Sequence, residues 1–406
     1  MFLLYIVAYL DRINVGFAAL QMNAAIGLSA SAYGLGAGIF FVSYTLFEVP
    51  SNLVLARLGA RLWIARIMIT WGLVSSGMML VQGPISFYVM RFLLGAAEAG
   101  FFPGIIYYLT QWFPARERGR TIAAFMTATL AAGIVGGPVS GALLSMNGAG
   151  GLAGWQWLFL IEGLPAIILG VVVLFYMTEQ PEDARWLSDG ERTMLVETLR
   201  RDANENPSGM MTVSGALANG RVWLLAIVYF TIPIALYAFG FWLPQIIRAA
   251  SSGSDFQIGM LAAIPYGVGA CGMVIVARHS DRTGERRGHI AGAALVGGLA
   301  FIVSAFAQTL AVSLVTLSIA MLGLASMFGP FWAFATLRLS GVGAAAAIAL
   351  INSIGNTGGF VGPYVIGYIR DRTHSFTGGL VFVGAVLAVM PLLVLALPDK
   401  PQPPCI

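Results

Sequence analysis

The sequence predicts an all-α membrane protein of twelve transmembrane helices arranged in two pseudo-symmetric six-helix bundles. The first observation is composition: 58% of the 406 residues are hydrophobic and 10% are charged, whereas soluble domains are about 25% charged. The second is a succession of apolar segments of about the 20 residues that span a bilayer. The third is a repeat that relates the two halves of the chain at one fixed offset. Lipid is therefore expected to be the main solvent of this chain.

The apolar segments number twelve and are separated by shorter polar connections. They are predicted at 1–20, 33–55, 62–81, 85–112, 121–145, 155–178, 221–248, 256–277, 289–307, 310–333, 343–369 and 378–397. The first segment starts without a polar lead-in, so an upstream extension of the native chain stays open. It lacks the basic region and the small-residue cleavage site of a signal peptide.

The composition changes between residues 179 and 220, where eight acidic residues and four arginines occur. This aqueous linker divides the chain into an N-terminal bundle at 1–178 and a C-terminal bundle at 221–406. Its middle, LSDGERTMLVETLRRD, has a helix start signal at Ser188 and Asp189. A short surface helix is therefore predicted in the linker.

Basic residues are distributed unequally between the two sets of loops. Seventeen Lys and Arg fall on the side that holds both termini and the linker, and three (Arg248, Arg370 and Arg372) fall on the other side. Cytoplasmic loops carry an excess of Lys and Arg, so both termini and the linker are expected in the cytoplasm. The net charge of +4 is attributed to this topology, and no nucleic-acid partner is expected. The segment RDRTH at 370–374 goes against the trend.

The two halves repeat each other. The segment ARLGAR at 56–61 matches DRTGER at 281–286, and Gly137 before a proline matches Gly362 before another. Both pairs are separated by 225 residues. Parallel repetition of two six-helix halves is an architecture of secondary transporters.

Several segments together resemble one known family. The loop DRTGERR after GMVIVARHS, with its weaker copy NLVLARLGAR, resembles the loop signature of the major facilitator superfamily. YLDRINVGFA, RFLLGAAEAGFFPG, WFPARERGR and INSIGNTGGFVGP resemble its anion:cation symporter branch, the phthalate, tartrate and sugar-acid permeases related to sialin and the vesicular glutamate transporters. The resemblance covers nearly the whole chain and implies the fold of that superfamily and a bacterial inner membrane. One departure is Ala56, which replaces the usual acid, so the inner-gate interaction of that acid is not expected in the N-terminal half.

Six charged residues lie within the predicted spans, more than four residues from either end of the span. They are Asp11, Arg12, Glu48, Arg91, Glu98 and Glu162. A charge near the bilayer centre costs roughly 2.5 to 3.5 kcal/mol on insertion scales, so each of them needs a partner or a function. A structural or gate hydrogen bond is the favoured interpretation for Glu48 and Glu162.

Arg91 and Glu98 mark one face of the fourth span. They are seven residues apart, which is two helical turns and about 10 Å of rise, and Gly95 lies between them on the same face. Lipid offers such a face no partner, so it is expected to turn toward protein or water. On one interpretation, these two charges form a neutral salt-bridge cluster with Asp11 and Arg12 that holds the first and fourth spans together.

On the other interpretation the same charges carry transport. An anion that binds Arg12 in a bidentate contact displaces the acid that shares the positive charge of this arginine. The displaced acid then favours its protonated form. Binding of the anion and binding of the proton are therefore linked, and each tightens the other. Arg12 is the anion receptor in this scheme, and Asp11 carries the proton.

The resemblance adds roles for further residues. It implies Asp11 and Glu98 as protonatable sites, with Arg91 as the partner of Glu98. The substrate contacts that it implies are Tyr9, Arg12, Tyr44, Trp332 and Asn352. Packing is the ordinary alternative for the tyrosines and Trp332, and interhelical hydrogen bonding is the alternative for Asn352. No acid lies deep in the C-terminal half, so proton chemistry is expected in the N-terminal bundle.

These observations predict proton-coupled symport of a small organic anion by alternating access. A dicarboxylate, a sugar acid or an aromatic carboxylate would fit, and the expected assembly is a monomer in the lipid bilayer. An uncoupled or sodium-coupled carrier of the same fold stays open, as does a receptor or scaffold without transport. An intramembrane enzyme fits poorly, because the three histidines fall in loops and neither HExxH nor GxSxG occurs. No catalytic residue, metal site or cofactor other than the proton is expected.

Overall fold

The described part of the chain is helical, as the sequence predicts. The structure is a computed structural model that describes residues 1–205, 219–338 and 344–397, and no strand occurs within these ranges. The predicted linker extends into residues 206–218 and the predicted C-terminal bundle into residues 398–406. Both of these segments, with the basic residue Lys400, lie outside the described residues.

Seventeen α-helices occur within the described ranges. The first half consists of α1 (Phe2–Ala25), α2 (Ala30–Leu58), α3 (Ala60–Gly77), α4 (Pro84–Glu98), α5 (Phe101–Trp112), α6 (Ala115–Met126), α7 (Ala128–Leu144) and α8 (Gly154–Tyr176). The linker and second half consist of α9 (Asp189–Glu205), α10 (Gly220–Ala250), α11 (Asp255–Thr283), α12 (Arg287–Ser304), α13 (Leu310–Ser326), α14 (Phe328–Arg338), α15 (Ala344–Asn356), α16 (Gly358–Thr373) and α17 (Thr377–Ala396).

The described chain has the polarity of a membrane protein. Eleven of its helical segments are long and apolar enough to cross a bilayer. Large apolar side chains such as Leu53, Ile85 and Ile275 are exposed on their outer faces, whereas Arg91 and Glu98 are buried. Soluble proteins show the reverse distribution of charge. The chain is therefore an integral protein that crosses the membrane many times.

Four predicted spans are divided into two helices each. They are the spans at 85–112, 121–145, 310–333 and 343–369. The divisions fall at Ala99-Gly100, Thr127, Met327 and Thr357. An apolar segment has the same composition whether or not its helical hydrogen bonds are interrupted. The sequence therefore predicts each of these spans as one continuous helix. The divided spans occupy corresponding positions, fourth and fifth, in the two halves.

The surface helix predicted in the linker is confirmed as α9. Ser188 precedes it and Glu191 occupies its first turn. The Ser188 hydroxyl donates to Glu191 Oε2 at 2.7 Å, and the backbone N–H of Ser188 donates to the same oxygen at 3.0 Å. The backbone N–H of Glu191 donates in return to the Ser188 hydroxyl oxygen at 3.4 Å, so this reciprocal arrangement satisfies N–H groups that have no partner within the helix.

The two copies of the repeated loop both end a helix at a glycine of positive φ but differ in their ion pairs. Gly59 and Gly284, 225 residues apart, both adopt positive φ angles, of 89° and 69°, which glycine tolerates best. In the second copy Arg286 pairs with Asp281 at 2.7 Å. The first copy has Ala56 in place of the acid, and the linker residue Glu179 instead accepts hydrogen bonds from two backbone N–H groups at the start of α3.

The connections between helices lie on two opposite sides of the molecule. We call the side that holds the α2–α3 turn and the linker the linker side, and the other side the far side. Contacts between the halves run mainly along three helix pairs, α2 with α16, α7 with α11 and α1 with α10. Glycines allow this approach: a Cβ atom added at Gly34 would lie 2.5 Å from the carbonyl oxygen of Pro363, and one at Gly16 would lie 2.7 Å from that of Gly240.

The far side is closed by polar contacts between the halves. Asp371, near the end of α16, accepts hydrogen bonds from the backbone N–H groups of Ala30 at 2.9 Å and Ser31 at 2.8 Å. These groups begin α2, where carboxylates are favourable partners. Gln21 of α1 donates to Asp255 of α11 at 2.6 Å. The far side is therefore sealed by contacts that involve helix ends of both halves.

Candidate functional site

Glu98 stands at a break in the fourth span. It is the last residue of α4; Ala99 then leaves the helical conformation, and Gly100 adopts a left-handed one with a φ of 87°. The released carbonyl group of Ala99 accepts a hydrogen bond from the Ser51 hydroxyl at 2.6 Å, which in turn accepts one from Trp63 Nε1 at 2.9 Å. The break is thus satisfied by α2 and α3. Transporters build binding sites at such interrupted helices near the middle of the membrane.

The guanidinium of Arg12 joins the two halves of the molecule. Its Nη2 donates to Glu98 Oε1 in an ion pair, and its Nη1 donates to the hydroxyl of Tyr237 at 3.0 Å. Its carbon lies 5.3 Å from the ring centroid of Tyr44, close enough for a cation–π contact. Arg12 is 6% exposed and Glu98 is fully buried. Arg12 therefore holds a charged partner in its own half and a neutral partner in the other.

A central cavity lies between the halves beside this ion pair. Four of the five predicted substrate contacts line it: Tyr9, Arg12, Tyr44 and Asn352. The Tyr9 hydroxyl is buried and has no hydrogen-bond partner. The cavity volume is about 40 Å³, room for a few water molecules. A dicarboxylate therefore needs the cavity to widen.

Trp332, the fifth predicted contact, does not line the cavity. Its ring packs edge-on against Tyr229 at a centroid distance of 4.9 Å, and Tyr229 lines the cavity in its place. Trp332 therefore supports the cavity wall from behind, which is closer to the packing alternative than to direct contact in this arrangement.

The structure gives Glu98 a different partner from the one expected. The ion pair of Glu98 is with Arg12, whereas Arg91 Nη2 donates to the carbonyl oxygen of Ala37 at 3.2 Å and its guanidinium lies 4.9 Å from the ring centroid of Phe40. Arg91 and Glu98 are separated by two turns of α4, so Arg91 contacts α2 about two turns away from the ion pair of Glu98. Its Nε and Nη1 have no hydrogen-bond partner. The face that carries both residues is fully buried, as the sequence analysis expected.

Asp11 lies behind the cavity rather than in it. Adjacent helical residues point in different directions, and Asp11 faces α3, where it accepts hydrogen bonds from the Ser75 hydroxyl and from Asn14 Nδ2 at 3.3 Å. It is 1% exposed, and its Oδ2 has no partner. Asp11 is therefore a buried carboxylate held by neutral donors, without an ion pair.

The two remaining buried acids make the hydrogen bonds expected of them. Glu162 accepts from the Ser140 hydroxyl at 2.7 Å within the first half. Glu48 accepts from the hydroxyl of Ser353 at 2.7 Å and from Asn352 Nδ2 at 3.4 Å, so its contacts cross from α2 to α15 in the other half. Glu48 and Asn352 together tie the halves on the linker side of the cavity.

Several cavity residues were missed by the sequence analysis. They are Phe102, Met126, Thr129, Tyr229, Pro233, Leu236, Tyr237, Phe328 and Asn356. One of them carried a usable signal: Tyr237 is separated from Arg12 by 225 residues, the offset of the repeat. The equivalent positions of α1 and α10 thus meet across the centre of the molecule.

No metal site was found in the described part of the chain. Within residues 1–205, 219–338 and 344–397, no three His, Cys, Asp or Glu side chains form a cluster that could hold a metal ion.

Comparison with known proteins gives one family. Residues 1–363 match the family described as Major Facilitator Superfamily. A protein of Agrobacterium vitis, provisionally named as a tartrate transporter, is 52% identical over 97% of this chain and 88% of its own length. A quinolone resistance transporter of Acinetobacter baumannii is 44% identical over 95% of this chain and 89% of its own length.

A solved structure has the same fold. It is a bacterial homologue of the human lysosomal transporter Spinster in an inward-facing and occupied conformation, with a TM-score of 0.77 and 16% sequence identity. The alignment covers 97% of this chain and 94% of that one. At this identity the likeness concerns the arrangement of the helices alone.

Proposed function

Because the chain belongs to the major facilitator superfamily, a family of membrane transporters, we propose that it carries a small organic anion together with protons. The membership makes the chain a transporter rather than an enzyme. The observation that carries the proposal is the buried ion pair between Arg12 and Glu98 at the wall of the central cavity.

The substrate class follows from the groups that face the cavity. Arg12 is the only Lys or Arg among the described residues that line it, and Tyr9, Tyr44 and Asn352 add hydroxyl and amide groups. A guanidinium recognises a carboxylate in a bidentate contact, and the neutral groups suit hydroxyls or a second carboxylate. Tartrate has both features. Quinolones also carry a carboxylate, so a guanidinium receptor is compatible with the names of both relatives.

Proton coupling follows from competition for Arg12. An anion that binds Arg12 displaces Glu98, and a buried carboxylate without a counter-charge is costly unless it is protonated. Glu98 then takes up a proton when the anion binds and releases it when the anion leaves. Because linkage is reciprocal, protonation of Glu98 also tightens binding of the anion. We assign Asp11 as a second proton site and Arg91 as the fixed positive charge of this half.

The transport cycle follows from the two sides of the cavity. The far side is closed by Asp371 and Gln21, whereas Glu48 and Asn352 tie the halves on the linker side. Rocking of the halves opens each set of contacts in turn and gives alternating access. We place the linker side in the cytoplasm of a bacterial cell, because the basic residues concentrate there, and we expect a monomer to suffice.

The coupling scheme is tested with purified protein in proteoliposomes. The parent protein is expected to accumulate tartrate when the outside is made acidic, and a sodium gradient alone is expected to have no effect. Glu98→Gln is expected to exchange labelled tartrate across the membrane but to lose accumulation above the external concentration, because glutamine cannot carry the proton. Glu162→Gln is the matched control, since Glu162 is equally buried but faces Ser140.

The possible outcomes separate the alternatives. Accumulation by Glu98→Gln would refute the assignment of Glu98. Uptake driven by sodium alone would identify a sodium-coupled carrier, and downhill uptake without accumulation by the parent would identify an uncoupled one. A panel of dicarboxylates, sugar acids, aromatic acids and quinolones in the same assay identifies the substrate class.

A further inference from the structure

A second and larger cavity opens on the far side of the molecule. It has a volume of about 470 Å³, within the range typical of small-molecule sites. Its lining comes from both halves and includes Asn23, Gln245, Arg248, Arg370 and Asp371. We call it the far-side vestibule.

The vestibule is separate from the central cavity. On α10, Gln245 of the vestibule lies eight residues beyond Tyr237 of the central cavity, which is about 12 Å of rise. Between them the hydroxyl of Tyr33 donates to the carbonyl oxygen of Phe241 at 3.0 Å, and Gly16 packs on Gly240. The closed barrier therefore divides the two cavities.

The charge of the vestibule is positive. The carboxylate of Asp371 is turned to the start of α2, where both of its oxygens accept hydrogen bonds. Arg248 pairs with Asp255, but Arg370 forms no ion pair with any residue in the described ranges. The guanidinium of Arg370 is held in place by Phe376, whose ring centroid is 4.2 Å away. The charge of Asp371 acts on Arg370, but the Asp371 carboxylate is held by the start of α2, so the fixed guanidinium is still suited to bind an anion.

A buried donor beside Arg370 points to a ligand independently. Gln245 is 7% exposed, and its Oε1 accepts a hydrogen bond from Arg370 Nη1 at 2.7 Å. This bond fixes the orientation of the amide, and its Nε2 then has no hydrogen-bond partner among the described residues. Across the vestibule the Oδ1 atom of Asn23 is also without a partner. Buried polar atoms of native proteins are nearly always paired. A ligand that accepts a hydrogen bond from Gln245 Nε2 and donates one to Asn23 Oδ1 would pair both atoms.

We propose that the far-side vestibule is a docking site for hydroxylated organic anions, where Arg370 and Gln245 bind a carboxylate and Asn23 accepts a hydroxyl. The inference rests on the proposed function, because it makes this site the first stop of the transported anion. The vestibule collects the anion outside the closed barrier, and electrostatic attraction raises its local concentration there. The site also gives a role to Arg248 and Arg370, two basic residues on the side of the molecule where the loops hold few of them.

The first test needs no transport. Ala249, which lines the vestibule and is exposed, is replaced by cysteine in a Cys271→Ser, Cys405→Ser background, in vesicles with the far side outward. An anionic thiosulfonate reagent is expected to label this cysteine faster than a cationic one. Arg370→Gln is expected to lower that ratio at least about threefold, since it removes the charge that draws the anion in. Arg372→Gln, the matched control, removes the same charge from a residue outside the vestibule and is expected to leave the ratio unchanged.

Protection by substrate completes this test. External tartrate is expected to slow labelling of the Ala249→Cys protein, the uncharged polyol erythritol is not, and Arg370→Gln is expected to abolish the protection. Equal effects of Arg370→Gln and Arg372→Gln on the ratio would overturn the proposal and reduce the effect to general surface charge. Absence of protection by tartrate would overturn it as well.

The second test measures transport from each side. In vesicles with the far side outward, Arg370→Gln is expected to raise the KM for tartrate uptake about fivefold to tenfold at low ionic strength, with the maximal rate unchanged. In inverted vesicles the KM is expected to stay at the parent value. An equal change from both sides would overturn the proposal.

The two tests also separate this inference from the proposed function. Protection by tartrate without uptake by the parent would refute the proposed function and leave the docking site. Uptake by the parent without protection would refute the docking site and leave the proposed function.

Discussion

Arg12 makes two hydrogen bonds from the two terminal nitrogens of its planar guanidinium. Nη2 reaches Glu98 in the same half and Nη1 reaches Tyr237 in the other. An incoming carboxylate can replace one or both of these partners while the guanidinium stays in place. A lysine carries the same charge but as a single point with a different geometry. The shape of the side chain therefore matters as much as its charge.

We expect Arg12→Lys to weaken binding of tartrate strongly. Loss of a charge-assisted hydrogen bond costs about 1.5 to 3 kcal/mol, which corresponds to roughly tenfold to a hundredfold in Kd. Titration calorimetry of the purified protein measures it. Tyr237→Phe is the comparison, because it removes the neutral partner of Arg12 but leaves the guanidinium charge in place, and it is expected to raise Kd less than Arg12→Lys does. Parent affinity in Arg12→Lys would refute the role of Arg12 as anion receptor.

The sequence predicted functional residues best where a charged residue interrupts an apolar segment. Arg12 and Glu98 were singled out in this way; Arg12 lines the central cavity, and Glu98 is buried behind it as its ion-pair partner. Their direct pairing was only one possibility within the four-residue salt-bridge cluster that the sequence left open, and the resemblance assigned Arg91 as the partner of Glu98. Tyr237 was missed although the repeat offset marks it, since a tyrosine in an apolar helix attracts no notice by itself.

Interrupted and closely packed helices shape the site at the next scale. The face of α4 that carries Arg91, Gly95 and Glu98 lies against α2, and Gly95 is what allows the approach. A Cβ atom added at Gly95 would meet the carbonyl oxygen of Phe40 and the hydroxyl of Ser43. Backbone cannot move aside as a flexible side chain can. The position of both charges therefore depends on this glycine.

We expect Gly95→Ala to lower the thermal stability of the purified protein and to weaken tartrate binding. Overpacking of this kind costs about 1 to 3 kcal/mol. Gly292→Ala, the control, lies in α12 on an exposed face with nothing within 4 Å of the added atom. It is expected to keep or raise stability by about 0.5 to 1 kcal/mol, the usual gain from alanine in a helix. Equal melting temperatures for the two variants would contradict the packing argument.

Element boundaries were predicted less well than element existence. Apolar length located the spans, and the linker helix followed from Ser188 and Asp189. The break at Ala99 and Gly100 was missed because it is stabilised by Ser51 and Trp63, residues some fifty and thirty-five positions away in the chain. Breaks that depend on distant partners leave little trace in local sequence.

The whole molecule is held in one arrangement by contacts on its far side. The repeat in the sequence predicted two related halves, but it carried no information about which side is closed. That choice rests on contacts such as those of Asp371 with the start of α2 and on close approaches at glycine. None of these groups is distinctive in the sequence, because helix starts and carboxylates near helix ends are common in membrane proteins.

Alternating access requires the far-side contacts to open during each cycle, which a reversible cross-link can test. Ser31 and Asp371 are in direct contact between the halves, and cysteines at both positions can be joined by a short bifunctional thiol reagent in a Cys271→Ser, Cys405→Ser background. The cross-link is expected to stop tartrate accumulation under a pH gradient, and reductant is expected to restore it. The same double-cysteine protein without the cross-linker shows how much the two substitutions by themselves reduce tartrate accumulation.

A second cross-link on the same side distinguishes opening from damage. Ala305 and Thr377 belong to one half, where the Thr377 hydroxyl donates to the Ala305 carbonyl oxygen at 3.1 Å. Cysteines joined there restrain two helix ends that move together when the halves rock as units, so transport is expected to continue. Undiminished transport with Ser31→Cys and Asp371→Cys joined would show that the far side stays closed throughout the cycle. The anion would then need another route, and the far-side vestibule could not be its entrance.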